Sequence, residues 1–405
     1  MYFIGIDWSS SFNDISILDH TGEFIKHFRA DVTSSGFACI QTELNLLSED
    51  HSDFCIGIET HKNILADYFI TAEYTVYSLN PLCVKRFKES QSPTPKKNDK
   101  YDSFIIAFML FRDKEKFKPV LKSGYDSELL KNLCGIINDL TLQRSRLINA
   151  LRSNLMLYFP AFSEFFTAMD STVALNILKH FPSPDAFLSA EKSDSINIIK
   201  SIKYLSAQRF EKIYEFMKEN ALNIKTASFT ACARKSVMLA DQILLLNHQI
   251  AELDKDIKKL YEASSMHKSF SSIPGAGLRI GTQLMSLFGD NPERFDSYNA
   301  VQCYAGTCPS TQSSGKNYHS IKMRKACNKD FRKVLYQLSF AGLQKKEQWS
   351  SQEYYAHRKN GKSHSAALRI ISNKWAKIIY TLWRDKTEYN DTNFVSRRNK
   401  ITAAA

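Results

Sequence analysis

The chain has 405 residues, enough for two or three domains, and its 43% apolar content supplies real cores. A formal charge of +12 points to polyanionic partners, because excess Lys and Arg neutralise phosphates and release counterions. Eight scattered cysteines with no Cys-x-x-Cys argue against a disulfide scaffold or a zinc site, and no apolar run nears the roughly 18 residues of a membrane span, so the expectation is a soluble, cytoplasmic, nucleoid-associated protein with free buried thiols.

Phe3, Ile4 and Ile6 predict a first strand that runs into Asp7, and Ser9 to Asn13 is the polar turn to a second strand. Further strands are expected at Glu23 to Phe28, Phe54 to Glu59 and Tyr74 to Leu79, with helices at Ser35 to Leu47 and Asn63 to Ala72. Gln91 to Lys97 holds two prolines and reads as a loop, either a lid that orders on nucleic acid or a plain surface loop. An apolar helix follows, opening with Asp99 and Asp102 and ending near Arg112. A meander followed by strand and helix alternation predicts a mixed sheet covered by helices over residues 1–125, the α/β part of an α/β plus α chain.

Residues 126–262 become helical. Apolar residues spaced near four and seven predict one amphipathic helix from Ser127 to Tyr158, stopped by Pro160, with Arg144, Arg146 and Arg152 on its other faces. A near-heptad pattern predicts a second from Met238 to Tyr261. The pair reads as an antiparallel coiled-coil stalk, open to completion by another protomer, with a bundle inside one chain as the alternative; Ala161 to Ala231 would be a small helical cap.

Residues 263–405 form the third expected domain, mainly helical. Ser272 to Gly277, SIPGAG, is a turn between helices, where backbone N–H groups can approach phosphate or simply join an ordinary helical hairpin. Tyr304 to Tyr318 reads as a flexible serine-rich turn ahead of a basic helix with Lys322, Arg324, Lys325 and Arg332. Ser314, beside Gly315 and Lys316, has the exposure, freedom and positive neighbour that a nucleophile for phosphorus needs, and Ser313 lies next to it. A last helix from Ser365 to Trp383 carries an apolar stripe.

An acid at a strand end is either a surface cap or a charge held for a partner. Here Asp7 and Glu59 both end strands, and Asp99 and Asp102 stand three apart on one helical face. Such a set of carboxylates suits Mg²⁺, which takes oxygen ligands and assists in-line phosphoryl transfer.

The order Asp7, Glu59, Asp99-x-x-Asp102 on strand, strand and helix resembles the ribonuclease H-like domain of junction resolvases. More closely it resembles the DEDD transposases of bacterial insertion sequences, relatives of the pilin-gene invertases. The C-terminal part is similar to the same family: Ile273 to Gly277, Ala305 to Pro309, Ser314 with Gly315, and Asn328 with Phe331 and Arg332. Departures are Ser10, Thr60 to Lys62, Asn98, Thr307 and Cys327, none of them one of the four acids or the serine.

The resemblance implies a recombinase in which Asp7, Glu59, Asp99 and Asp102 bind Mg²⁺ and Ser314, the serine preceding Gly, forms a covalent phosphoserine link to DNA. It also implies a noncoding guide RNA, held by basic residues such as Lys85, Arg86, Lys88, Arg144, Arg146 and Arg152, and a homodimer or homotetramer. The alternatives are a metal-dependent resolvase-like nuclease that does not need Ser314, an RNA-independent invertase, and a non-catalytic nucleic-acid-binding protein.

Overall fold

The computed structural model describes residues 1–59, 63–91, 99–190, 198, 200–222, 224, 226–314, 318–344 and 347–391, apart from the side chains at 99, 312–314 and 318–321. Two compact units divide the chain, Met1–Lys122 and Ser123–Ala405.

In the first unit, β1 (Tyr2–Trp8), β2 (Phe12–Leu18) and β3 (Phe24–Asp31) form an antiparallel meander. β4 (Phe54–Ile58) and β5 (Thr75–Ser78) continue it parallel to β1, in the order β3-β2-β1-β4-β5. The period of two sends Ile4, Ile6, Ile15, Ile17, Ile56 and Ile58 to one side. There α1 (Ser34–Asn45) and α2 (Ile64–Thr71) close a core with Ile40, Leu44, Leu65 and Phe69. Both helices start on side-chain caps, Thr33 accepting from Gly36 N and Asn63 from Ala66 N.

Phe3, Leu18, Cys55 and Tyr77 face the other side, packed with Ala107 and Leu110 of α4 (Asp99–Asp113). α3 (Pro81–Gln91), which the sequence reading left without an element, packs Val84 and Phe87 against Ile105, Ile106 and Met109 of α4. Gly5 decides how closely α4 sits. A Cβ there would lie 2.0 Å from the Ser103 carbonyl oxygen and 2.4 Å from Ala107 N, so the helix backbone rests directly on β1. The buried pair Ser16 Oγ and Ser103 Oγ, 2.8 Å apart, ties the same turn of α4 to β2.

In the second unit, α5 (Tyr125–Tyr158) pairs along its length with a helix that begins at Ala227, earlier than the expected Met238. Between them lie α6 (Pro160–Phe165), α7 (Thr172–His180), α8 (Pro184–Leu188) and α9 (Ala207–Asn220), with Phe159, Phe162, Phe187 and Phe210 at their core. The partner of α5 is α10 (Ala227–Ala263). Arg144 Nη1 donates to Asn247 Oδ1 at 2.9 Å, and Asn154 Nδ2 donates to Ser236 Oγ at 2.9 Å, so the two helices run antiparallel.

At the other end of this pair, Leu130, Ile137 and Ile257 join the core of the C-terminal elements. Those are α11 (His267–Ser271), α12 (Leu278–Phe288), α13 (Tyr298–Tyr304), β6 (Pro309–Ser314), β7 (Tyr318–Met323), α14 (Lys329–Gly342), α15 (Trp349–Lys359) and α16 (His364–Asp385). Phe270, Phe288, Phe331, Trp349 and Trp375 are among its largest buried side chains. Among the described residues no helix is long and apolar enough to cross a membrane.

Two expectations need correction. The serine-rich stretch is not a flexible turn before a basic helix: β6 and β7 pair as an antiparallel hairpin, so Lys322 lies on a strand and Arg324 and Lys325 precede α14. All eight thiols are free, but only Cys55 and Cys134 are buried, and Cys39 and Cys83 are exposed on helix faces that the apolar pattern leaves to solvent.

Candidate active site

Strand register brings the first two acids together. Ile6 is opposite Ile58 in the parallel β1/β4 pair, so one residue further on Asp7 and Glu59 emerge side by side on the face that α4 covers. The close seat of α4 on Gly5 sets Asp102 over the same end of the sheet. Asp102 is held by an ion pair with Lys88 of α3. Glu59 feels both: burial and then the Asp102 charge push its carboxyl up, while Lys88 pulls it back down.

Asp99 opens α4 one turn before Asp102, but its side chain lies outside the described residues. Among the described residues no three His, Cys, Asp or Glu side chains come close enough to hold a metal together. Asp7, Glu59 and Asp102 nonetheless fit a divalent cation by their chemistry. They are hard oxygen donors at one sheet end, and Glu59, half-buried and near the Asp102 charge, has a carboxylate form that a bound cation would favour. Lys88, expected from the sequence among the residues holding RNA, is here paired with Asp102.

One feature of this end of the sheet escaped the sequence reading. Asp14 stands directly opposite Asp7 across β1 and β2 and is almost fully buried. His27 Nε2 lies 3.1 Å from its Oδ1, and Arg29 Nη2 donates to its Oδ2 at 3.0 Å. Those two partners supply the hydrogen bonds that a buried carboxylate needs. The signal available was an acid in the strand that returns from Asp7, with His27 and Arg29 two residues apart on the next one.

In the second unit, Ser314 is the last residue of β6, opposite Tyr318, and Gly315 and Lys316 lie outside the described residues. The base of this hairpin is anchored. Thr307 is buried, and its hydroxyl donates to Asn373 Oδ1 of α16 at 3.0 Å, while Gln302 Nε2 donates to the Asn373 carbonyl at 2.8 Å. Gly306 has φ +66°, and a Cβ there would lie 2.6 Å from Cys327 Sγ. Asn328 caps α14 by accepting from Phe331 N at 2.9 Å and donates to the Tyr304 hydroxyl at 3.1 Å.

The residues expected to bind nucleic acid divide by environment. Lys322, Lys325 and Arg146 are exposed, and so is Arg152, which donates to the Thr167 carbonyl at 2.6 Å. Arg144 is spent on Asn247 inside the helix pair, and Arg332 donates to the Arg324 carbonyl at 3.2 Å.

Two family models match this chain. One, described as a transposase of the DEDD type of IS110, covers residues 4–160, and the other, described as the transposase of the IS116/IS110/IS902 family, covers residues 267–356. The chain belongs to the IS110 family of transposases. It is therefore an enzyme that cuts and rejoins DNA, and membership implies a requirement for a divalent metal.

Among the IS110-family relatives, a Streptomyces coelicolor protein named "Mini-circle putative transposase for IS117" is 25% identical over 403 residues, covering 96% of this chain and 95% of its own. The 43.6 kDa protein of insertion element IS110 from the same organism is 24% identical over 263 residues, 64% of each chain. The 42 kDa protein of IS900 from Mycobacterium paratuberculosis is 22% identical over 296 residues, 73% of each. The first model ends at residue 160, so it spans the sheet and all of α5, and the second spans the elements that carry Ser314.

Proposed function

We propose that this IS110-family protein moves its own insertion sequence by serine recombination, with the first unit as a ribonuclease H-like acid site. The observation that carries the proposal is that Asp7 and Glu59 each follow the paired Ile6 and Ile58 of neighbouring parallel strands, with Asp102 of α4 near enough to Glu59 to push its carboxyl up. Asp7, Glu59, Asp99 and Asp102 would hold Mg²⁺, which when bound supplies charge to the scissile phosphate and the leaving oxygen.

Ser314 attacks phosphorus through Oγ. A new P–Oγ bond forms, the P–O bond to the leaving strand breaks, and the serine proton passes to the departing oxygen as it becomes a free hydroxyl. Bond energy stays in the phosphoserine ester, so attack by another strand's hydroxyl rejoins DNA without ATP.

An element-encoded noncoding RNA guides the choice of donor and target. The exposed basic residues Lys85, Arg86, Arg146 and Arg152 hold it through its backbone. α5 and α10 act as a coiled-coil stalk, and acid site and serine come from different protomers of a homodimer or homotetramer.

The test mixes purified protein, Mg²⁺, element-end DNA and transcripts of the element's flanks, and seeks protein covalently joined to DNA on a denaturing gel. An adduct absent from Ser314→Ala supports the reading. Cleavage without an adduct, equal in Ser314→Ala, replaces it with a hydrolytic nuclease, and an adduct formed equally well without transcripts removes the guide.

A further inference from the structure

Two thiols stand at the root of the serine hairpin, and the reaction above uses neither. Cys303 lies in the last turn of α13 and Cys308 directly precedes β6, with their sulfurs 3.4 Å apart. Both are partly exposed, so a small oxidant can reach them. The backbone between them is held on both sides. Gly306 N donates to the Cys303 carbonyl at 3.1 Å, and the amides of Thr307 and Cys308 donate to the Gln302 carbonyl at 3.0 and 3.3 Å. Because this turn is already ordered, a bond between the sulfurs asks for little further loss of chain entropy.

Charge beside the pair favours its reaction. Burial, and then the hydrogen bond and charge of Cys308, push the Cys303 thiol up, and Arg324 pulls it part of the way back. Cys303 therefore keeps its proton and shares it with Cys308, where a thiolate meets that S–H with a guanidinium nearby. Arg324 Nε is itself buried without a hydrogen-bond partner, a donor not committed elsewhere.

A third thiol bounds the site. Cys327 packs on the same turn, its Sγ 2.6 Å from where a Gly306 Cβ would lie. Among the described residues no three Cys, His, Asp or Glu side chains are grouped closely enough to hold a metal, so Cys303 and Cys308 form a dithiol rather than part of a three-ligand metal site.

We propose that Cys303 and Cys308 are an oxidation site for peroxides, closing to a disulfide that arrests the hairpin carrying Ser314. Cys308 thiolate attacks a peroxide oxygen: an S–O bond forms, the O–O bond breaks, and the departing hydroxide takes up a proton as water. The Cys303 sulfur then attacks the Cys308 sulfur. The S–S bond forms, the S–O bond breaks, and hydroxide leaves with the Cys303 proton as a second water. The two sulfurs together lose two electrons, which the peroxide gains, and a dithiol reductant reverses the change by exchange.

The arrest follows from where the bond forms. The sulfurs must close from 3.4 Å to the roughly 2.05 Å of an S–S bond, which draws the start of β6 toward α13 by as much as about 1.4 Å. A nucleophile displaced by about 1 Å loses on the order of a hundredfold in rate. This part rests on the reading of Ser314 as nucleophile, whereas the disulfide itself does not.

The test treats the reduced full chain with hydrogen peroxide, removes the oxidant, alkylates free thiols and digests with trypsin. Both cysteines fall on one tryptic peptide, residues 295–316, and Cys327 falls on another. That first peptide should carry neither alkyl group and be lighter by two hydrogens than its reduced form, and dithiothreitol should restore alkylation at both positions. A peptide still alkylated at both cysteines, a link to Cys327 or to a second chain, or a Cys308 oxidised only to sulfinic acid overturns the pair.

The same oxidised protein, given Mg²⁺, element-end DNA and transcripts, should form adduct about tenfold or more below the reduced protein and recover on reduction. Cys308→Ser and Cys303→Ala should each form adduct like the reduced parent and keep it through peroxide treatment. A disulfide that leaves adduct unchanged, or a loss to peroxide that persists in both variants, overturns the arrest. The link is read by mass and the adduct by gel, so failure of the serine reading leaves the first result standing.

Discussion

Glu59 shows how one protonation state reports on a whole site. Its folded-state pKa lies above the unfolded value of 4.5, because burial and the Asp102 charge disfavour the carboxylate. Between those two values the folded chain holds a proton that the unfolded chain has lost. Stability from this group is therefore present on the acid side and lost as pH rises through the elevated pKa. Metal-free protein melted from acid to neutral pH should show that decline, and Glu59→Gln should flatten it; equal profiles would mean that Glu59 is not desolvated beside Asp102. Divalent cation reverses the sign, since it favours the carboxylate, so the rise in melting temperature on adding Mg²⁺ should grow with pH and shrink in Glu59→Gln.

Thr307 makes a second residue-level case. It is buried, and its hydroxyl donates to Asn373 Oδ1. Thr307→Val keeps the shape and strands that oxygen, so thermal or urea unfolding should show a loss of about 1–3 kcal/mol. A neutral effect would mean that water reaches Asn373. Asp7 and Glu59 stand out in the sequence because each follows an apolar run, and Asp99 and Asp102 because they stand three apart at the start of an apolar helix. Asp14 is less conspicuous, because its role shows only once β1, β2 and β3 are paired in register and bring it to Asp7, Arg29 and His27.

Elements announce themselves when their buried faces are apolar and wide. β1, β4 and α4 bury isoleucine and phenylalanine on both sides of a sheet, and all were expected from the residues. The first turns of α10 were not, because the buried positions there are Ala233 and Ser236, which carry almost no hydropathy signal. α3 buries only Val84 and Phe87. The β6/β7 hairpin has the polar sequences PSTQSS and YHSIKM, so it lacks the alternation that marks a strand.

The element with the least tolerance is the α4 seat. Gly5→Ala drives a methyl group into the Ser103 carbonyl, which is backbone and cannot swing away. Overpacking of this kind costs about 1–3 kcal/mol or more, and it lifts Asp102 away from Asp7 and Glu59 as well. Gly5→Ala should therefore lower both melting temperature and strand cleavage. Full cleavage by a destabilised variant would show that the height of α4 on the sheet does not matter to the acids.

At the scale of the whole molecule, the acids and Ser314 lie in different compact units, Met1–Lys122 and Ser123–Ala405. That separation gives the proposed sharing of sites between protomers a sharp consequence. Asp7→Asn and Ser314→Ala should each abolish adduct formation alone. If acid site and serine act within one protomer, every site in a mixed dimer still lacks one of the two, and mixing restores nothing. If they act across protomers, a mixed dimer holds one site with both defects and one with neither. Equal mixing after full subunit exchange makes half the dimers mixed, and half of their sites intact, so adduct should return to about a quarter of the parent level. The adduct counts single sites, which is why it is a better readout than completed transposition. No recovery, with exchange verified by mass, would place both chemistries in one chain.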